Sequence, residues 1–387
     1  MDLFVYESSG ILTESVYTSI PSSPGYQYKP LEFSALDRDK IIQSLSFHWF
    51  QPILAILLSD GTIKIKDIVT HNDLCALDVL HIRQHHAFCI SWRPSTAQTL
   101  ACSVKGGVIL WFFSLASSRV SCASKSVSKN SISSLFSPYG SSYLSTSPLN
   151  PPTSVFIPLP GMSKSHDVTG LDWSPDGSLL ACYTSSAIYF INIATREVLR
   201  SVSVSKTLKT VFSLSNTFLT VSPKSFSIIS SFPSITKSSW TIPRRDSYFT
   251  SCSWLSSSNT GLLADESNVW VIDHKDDQFY LYNEPVNVSH FFDSGLSYLG
   301  TTPNIANISI DPSGRRLAVT FKGQHHFLLF SISRRYDISF IGRVGFDESW
   351  GSPQSLVWKR GFEDGALIAV SYGIGVIKLV PLFFQTL

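Results

Sequence analysis

The stretch from Val168 to Ile191 decides the fold, and it reads Val168-Thr-Gly-Leu-Asp-Trp173, Ser174-Pro-Asp-Gly177, Leu179-Leu-Ala-Cys182 and Ala187-Ile-Tyr-Phe-Ile191. Three short apolar segments are separated by turns, and the first segment ends on a tryptophan. Proline fixes φ and glycine supplies a positive φ, so Ser-Pro-Asp-Gly is typical of a tight turn. One such unit cannot bury its own faces, which predicts further copies along the chain.

Six more copies of this unit occur, at a period of roughly 40 to 55 residues, except that 81 residues separate Trp92 from Trp173. The seven copies cover residues 45–66, 88–111, 168–191, 210–229, 250–272, 305–330 and 355–379. This pattern predicts an all-β protein, a seven-bladed β-propeller of the WD40 type that forms a single domain over residues 1–387. We expect an N-terminal strand within residues 1–13 to complete a blade. We also expect a Ser-rich inserted loop at residues 114–152, where the chain cannot bury a core.

Composition agrees with a strand-rich interior and with reduced thiols. Charged residues make up 15% of the 387 residues, and Phe, Tyr, Ser and Thr are abundant, which favours strands over helices. None of the six cysteines forms a CxxC pair, and four of them lie in apolar runs. This usage predicts buried free thiols in a cytosolic or nuclear protein.

The charges are unevenly distributed. No acidic residue occurs from Val79 to His166 or from Val198 to Arg245, although both spans contain several basic residues. This asymmetry predicts a basic sector that faces an acidic partner, a membrane surface or nucleic acid, or else a solvated surface without a partner. The candidate partner-binding residues are Arg83, Arg93, Lys105, Lys206, Lys209, Arg244 and Arg245.

No constellation of catalytic residues is found. His85-His86 and His325-His326 are adjacent pairs, and neighbours in a strand point to opposite faces, so neither pair suits one metal ion. We expect ordinary loop or surface histidines at both places. Tyr372-Gly-Ile-Gly375 lacks the third glycine of a dinucleotide-binding loop, and its glycines suit a bend. We therefore predict that the protein is not an enzyme and has no catalytic, metal or cofactor-binding residues.

The Gly-His and Trp-Asp dipeptides of WD repeats are largely missing. The positions of the terminal Trp-Asp hold Lys66-Asp67, Trp111-Phe112, Ile191-Asn192 and Ile272-Asp273, and only His166 resembles the histidine. We therefore expect apolar packing to stabilise most blades in place of the usual polar network.

Three Arg-Arg pairs occur, in the contexts Pro243-Arg-Arg-Asp246, Gly314-Arg-Arg-Leu317 and Ser333-Arg-Arg-Tyr336. Phosphoinositide-binding propellers carry Phe/Leu-Arg-Arg-Gly, which none of the three matches. This mismatch argues against phosphoinositide binding, which stays only as an alternative to protein binding.

Several units together resemble the aladin family of WD-repeat nucleoporins. The similarity is strongest in the sixth and final units, and it extends to the second unit and the opening strand. The segments that carry it are Leu3–Glu7, Ile90–Pro94, Asp311–Val319, Gly365–Ser371 and Ile377–Phe383. Residues 14–44 are too few for the helical segment that the family has there, and the sequence stops at Leu387 without the family's C-terminal tail, so contacts made by those parts are not carried over.

This resemblance implies a structural role at the nuclear envelope. The protein would scaffold contacts in the nuclear pore complex, dock on a transmembrane pore-ring nucleoporin and support nucleocytoplasmic transport, without binding a small-molecule substrate or nucleic acid directly. Its contact with the membrane would be indirect. Two alternatives stay open: a propeller that binds phosphoinositides or a membrane surface, and a WD-repeat substrate adaptor of a larger complex.

Overall fold

The fold is described from a computed structural model. The residues that it describes are 4–7, 10–11, 40–69, 73–74, 79–94, 96, 98–113, 152–162, 167–204, 206–213, 217–230, 237–241, 248–255, 260–275, 278–292, 303–345, 348–362, 365–373 and 375–383. The predicted Ser-rich loop lies outside these residues except for Pro152, and so do His166, Arg244 and Arg245.

Seven antiparallel sheets follow one another along the chain, and the fold is a seven-bladed β-propeller. The predicted fold class is confirmed, and the described residues contain no α-helix. Within the described residues, the first and seventh blades have three strands, the second to fifth have four, and the sixth has six.

The N-terminal strands and the first three blades have the following bounds. They are β1 (Phe4–Glu7) and β2 (Gly10–Ile11); β3 (Ile42–Phe47), β4 (Ile53–Leu58) and β5 (Ile63–Asp67); β6 (Ile90–Trp92), β7 (Thr99–Val104), β8 (Gly107–Phe112) and β9 (Thr153–Pro158); and β10 (Gly170–Trp173), β11 (Leu179–Tyr183), β12 (Ala187–Asn192) and β13 (Glu197–Ser203).

The other four blades continue the same order. They contain β14 (Lys209–Phe212), β15 (Thr217–Ser222), β16 (Ser225–Ser230) and β17 (Lys237–Thr241); β18 (Ser251–Trp254), β19 (Thr260–Ala264), β20 (Asn268–Lys275) and β21 (Gln278–Asn287); β22 (Ile305–Ile310), β23 (Arg316–Phe321), β24 (Phe327–Ile332) and β25 (Ile338–Gly345); and β26 (Pro353–Lys359), β27 (Gly365–Tyr372) and β28 (Ile377–Phe383). Short 3-10 helices lie at Gln84–His86, Ser289–Phe292 and Glu348–Trp350.

Each blade has two ends. At one end, which we call the leading end, the first strand begins and the second strand turns into the third. The trailing end carries the turn between the first and second strands and the turn between the third and fourth. In the second blade, Ile90 pairs with Cys102, which pairs with Ile109, so the start of β6 and the β7–β8 turn share the leading end.

The second strand of a blade is apolar because both of its faces are covered. Every residue of β4 and of β7 is buried, as the continuous apolar runs predict. The turns that precede β11 and β23 also form as expected. Gly177 and Gly314 have φ of 70° and 73°. The Gly177 N–H donates to the Ser174 carbonyl, and the Gly314 N–H donates to the Asp311 carbonyl.

The tryptophans at the ends of the first strands are buried in the second, third and fifth blades. In the first blade, the first copy of the unit begins Leu45-Ser-Phe-His-Trp49 in sequence, but the position at the end of β3 belongs to a residue two places earlier. Phe47 pairs with Leu54 as Trp92 pairs with Leu100, whereas Trp49 lies in the following turn with the Arg360 guanidinium 3.7 Å from its ring centroid.

The N-terminal strand β1 extends the sixth blade. Its backbone pairs antiparallel with β25, with Phe4 opposite Gly345 and Tyr6 opposite Arg343, and β2 continues the sheet outward. The pairing of Phe4 with Gly345 means that the edge of β25 is covered by a segment more than 300 residues away in sequence.

The chain divides into two compact units. One consists of Met1–Val16, Ser185–Ile188 and Val202–Pro353, and the other of Tyr17–Thr184, Tyr189–Ser201 and Gln354–Leu387. In the first unit, apolar clusters join the fourth blade to the fifth and the fifth to the sixth. In the second unit, they join the first blade to the second and the seventh to the first.

Serine hydroxyls also link neighbouring first strands within each unit. In the second unit, Ser44 and Ser46 on β3 accept the backbone N–H groups of Ile90 and Trp92, at 3.3 and 3.0 Å. In the first unit, Ser251 Oγ accepts the N–H of Ile308 at 3.2 Å. A strand without a paired neighbour on this side thus satisfies backbone donors through side chains.

Candidate functional site

A loop at the leading end of the second blade exposes several large apolar side chains. We call residues Val79–Cys89 the docking ridge. Ile82 is 84% exposed, and Leu80 and Phe88 are 48% and 40% exposed. Isolated exposed apolar side chains are ordinary, but several on one short loop suit a protein or membrane contact.

Buried Gln84 holds the docking ridge in place. Its Nε2 donates to the carbonyls of Gly61 at 2.5 Å and Val79 at 3.1 Å, and its Oε1 accepts the Trp111 indole N–H at 3.1 Å. All polar atoms of the amide therefore have partners, which fixes the loop from inside the protein.

Backbone contacts fix both ends of the ridge. Val79 exchanges hydrogen bonds with Ile63 on β5, and Ser103 Oγ accepts the N–H groups of Phe88 and Cys89 at 3.1 and 2.9 Å. Gly61 leaves room for this packing, because a Cβ there would lie 2.2 Å from the carbonyl oxygen of Gln84. The exposed side chains are thus presented on an ordered backbone.

The charge at the docking ridge is basic. Arg83 is exposed, and its guanidinium carbon lies 4.4 Å from the ring centroid of Phe156. Lys105 lies in the β7–β8 turn, so two of the predicted basic residues lie at the leading end of the second blade. Burial, and secondarily Arg83, lower the pKa of His81, whose Nδ1 accepts the Arg83 N–H.

Arg93 lies at the other end of the second blade from Arg83 and Lys105. It follows β6 at the trailing end of the blade, and its Nε donates to the Gly177 carbonyl at 2.7 Å. Burial lowers the pKa of Arg93, and the negative charge of Asp176 opposes that shift. The contact links the second and third blades, so Arg93 has a structural partner inside the protein.

Lys206 and Lys209 lie in the other unit, at the leading end of the fourth blade. Lys206 is exposed with φ of 46°. The Nζ of Lys209 instead donates to Ser251 Oγ at 3.1 Å, Asn307 Oδ1 at 2.7 Å and the Ile308 carbonyl at 2.9 Å. Lys209 therefore joins the first strands of three blades through internal hydrogen bonds.

Both histidine pairs lie outside the strands, in loop positions as expected. His85 and His86 are both exposed in the 3-10 helix of the docking ridge. His325 and His326 lie in the turn before β24, with ring centroids 4.8 Å apart, so the argument from strand geometry does not apply to either pair. Burial, then Arg343 and His325, lower the pKa of His326 to about 3.

The described residues include no group of three or more His, Cys, Asp or Glu side chains placed to hold a metal ion. In the same part of the chain, Cys89, Cys102, Cys182 and Cys252 are free thiols, as the sequence predicts. Burial raises the pKa of Cys89 to about 12 and raises those of Cys102 and Cys182, which keeps these thiols protonated.

Two polar networks were not predicted. One is Gln84 with Trp111, and the other is Asp265 in the β19–β20 turn. Buried Asp265 accepts the N–H groups of Ser267 and Asn268 at 2.9 and 2.7 Å and the Trp270 indole N–H at 2.9 Å. The signal that could have revealed both is a third-strand tryptophan, because a buried indole N–H needs an acceptor.

No family model matches the chain, and no curated protein matches it. In the part of the chain that the structure describes, no helix has the length and apolar character needed to cross a membrane.

Proposed function

We propose that the protein is a non-catalytic scaffold that binds partner proteins through the docking ridge. The observation that supports this proposal is the exposure of Leu80, Ile82 and Phe88 on a loop whose backbone is fixed by Gln84. A loop that is already ordered loses little conformational freedom on binding, so its apolar surface contributes more fully to affinity.

The partner segment should combine apolar and acidic side chains. Apolar groups would cover Ile82 and its neighbours, while carboxylates would meet Arg83 and Lys105. The ridge itself has no acidic residue, and Asp60 in the adjoining β4–β5 turn is already paired with Lys40 at 2.8 Å. Complementary charge steers association and selects among partners.

Ile82→Asp tests this proposal, because it places a charge at the most exposed apolar position of the ridge. We expect capture of specific partners to fall about tenfold or more, the effect of removing a central apolar contact. Leu199→Asp is the matched control, since Leu199 is 39% exposed on β13, outside the ridge. Equal losses in both variants would show that the ridge is not the docking surface.

We further propose that the setting of this scaffold is the nuclear pore complex. The support is the ordered resemblance of the second, sixth and seventh units to the aladin family, within a seven-bladed propeller. A fluorescently tagged copy should give a nuclear-rim signal, and proteins captured by the wild type but not by Ile82→Asp should include a membrane-spanning nucleoporin. A uniformly cytosolic signal would refute this setting, and capture of ligase subunits would favour the adaptor alternative.

A further inference from the structure

Two of the three Arg-Arg pairs meet at the trailing end of the sixth blade. Arg315 lies in the turn that leads into β23, Arg316 is the first residue of that strand, and Arg334 and Arg335 lie in the turn between β24 and β25. The two turns are adjacent, since the N–H of Ile332 donates to the Arg315 carbonyl at 2.8 Å and Arg316 pairs with Ser331. Two neighbouring turns thus carry the exposed residues Arg315, Arg334 and Arg335. The half-buried Arg316 lies beside them and donates from its guanidinium to the Arg315 carbonyl at 3.0 Å.

Both turns are held by their own hydrogen bonds. Ser333 Oγ accepts the N–H groups of Arg335 and Asp337 at 3.1 and 3.0 Å, and the Tyr336 N–H donates to the Ser333 carbonyl at 3.0 Å. Tyr336 has a left-handed φ of 64°, which is costly for a residue with a side chain. It packs against the apolar cluster of the fifth and sixth blades, so the turn that presents Arg334 and Arg335 is anchored in the core.

The acidic side chains of these turns are already engaged. Asp311 is buried, and its carboxylate accepts the N–H groups of Arg315 and Arg316 at 2.8 and 2.6 Å. Asp337 accepts a hydrogen bond from the Ser333 hydroxyl at 3.1 Å. Arg315, Arg334 and Arg335 are exposed and form no ion pair with any residue that the structure describes.

We propose that this arginine cluster, residues 315, 316, 334 and 335, is a binding site for a compact ligand with several phosphate groups, such as an inositol polyphosphate. Guanidinium groups bind phosphate oxygens in a bidentate fashion, and several of them on ordered turns suit several phosphates close together. A nucleic-acid strand fits less well, because it needs a long basic track with stacking rings, whereas these cations are confined to two turns. Other residues than those of the docking ridge form this site, and it does not depend on the proposed scaffold function.

The test is a calorimetric titration of the whole chain with myo-inositol hexakisphosphate. We expect saturable binding that weakens with added salt, because phosphate binding releases counterions. Arg334→Gln with Arg335→Gln should weaken binding about tenfold or more. The control pair, Arg200→Gln with Lys322→Gln, removes the same charge from exposed positions elsewhere and should change binding less than about twofold.

Two further measurements sharpen the test. Replacing Arg334 and Arg335 by lysine keeps the charge but not the planar fork, so binding should fall between the wild type and the glutamine pair. Vesicles that contain phosphatidylinositol 4,5-bisphosphate distinguish the source of the phosphates. Binding to them that is competed by inositol hexakisphosphate assigns a lipid headgroup, and binding of the soluble compound alone assigns a soluble ligand.

The proposal is overturned if inositol hexakisphosphate shows no saturable binding, or if the control pair weakens binding as much as the arginine pair does. It is equally overturned if a single-stranded RNA of about 20 nucleotides binds more tightly than inositol hexakisphosphate, since that result indicates a general basic surface.

Discussion

At the scale of single residues, buried polar groups satisfy hydrogen-bond donors that apolar packing would leave without acceptors. Asp265 is almost fully buried and accepts hydrogen bonds from two backbone N–H groups, the Asn268 amide and the Trp270 indole. Each donor would lose its acceptor together with the carboxylate, and an unsatisfied buried donor is more costly than a lost surface contact.

Asp265→Ala should therefore lower the free energy of unfolding by about 3 kcal/mol, measured by urea denaturation. Asp176→Ala is the matched control. Asp176 also caps a turn, accepting the Ser178 N–H at 3.0 Å, but it is exposed, so we expect a loss of about 1 kcal/mol. Similar losses for both variants would show that burial of the Asp265 network has no special importance.

Lys359 gives a pH-dependent prediction. Its side chain is 1% exposed, its Nζ donates to the carbonyls of Trp49 and Arg360, and burial, then Arg360, lower its pKa from 10.5 to about 7. Between these two values the unfolded chain binds more protons than the folded one. Stability contributed at this site therefore rises with pH from about 7 towards 10.5.

The urea midpoint of the wild type minus that of Lys359→Met should accordingly increase between pH 7 and pH 10. The buried thiols have raised pKa values, so they lower the free energy of unfolding as the pH rises. Both proteins retain these thiols, and the subtraction cancels their effect. A difference that stays constant with pH would contradict a lowered pKa at Lys359.

At the scale of elements, sequence patterns predicted the first three strands of most blades but not the outer strands. Continuous apolar runs such as Ile53–Leu58 reveal strands with both faces covered. The outer strand β13 is largely exposed and has no such pattern. The first blade shows that sequence patterns can also misplace a single residue. Trp49 matches the tryptophans that end the first strands of other blades, but the strand register gives that position to Phe47.

The docking ridge could be predicted only in part. The absence of acidic residues identified Arg83 and Lys105, but exposure of Ile82 depends on how Gln84 folds the loop, which no local pattern encodes. Lys209 was predicted to face a partner, and it instead forms three hydrogen bonds across blades. A basic residue in sequence does not reveal whether its nitrogen points outward.

Gly61→Ala should disturb the ridge as an element. Gly61 has φ of 88°, and an added Cβ would clash with the Gln84 carbonyl. Gly106→Ala is the control, because Gly106 has φ of 74° but no atom within 4 Å of the added Cβ. We expect a cost of about 1 kcal/mol from φ alone in the control, and a larger cost with faster amide exchange of the ridge in Gly61→Ala. Identical behaviour would show that Gly61 and the ridge are not coupled.

The N-terminal strand gives a second prediction at this scale. Deleting residues 1–13 removes the partner of β25 and exposes its backbone edge, so we expect lower stability by about 1 to 3 kcal/mol and increased aggregation by light scattering. A synthetic peptide of residues 1–13 should restore solubility, and a scrambled peptide should not. Unchanged stability after deletion would show that β1 contributes nothing to the sixth blade.

At the scale of the whole molecule, seven repeats of one supersecondary unit made the fold readable from sequence. Each unit needs neighbours to cover its faces, and the apolar clusters within each compact unit join consecutive blades. Function is less readable, because propellers share a core pattern and differ in their loops. The loop chemistry here supports two separate surfaces, the docking ridge and the arginine cluster.

Hydrogen exchange of the purified protein, free and bound to its captured partner, tests the central claim most directly. We predict that binding slows exchange of the ridge amides from Leu80 to Phe88, with little change on β13. Protection confined to other segments, with the ridge unchanged, would contradict the claim that this protein acts through the docking ridge.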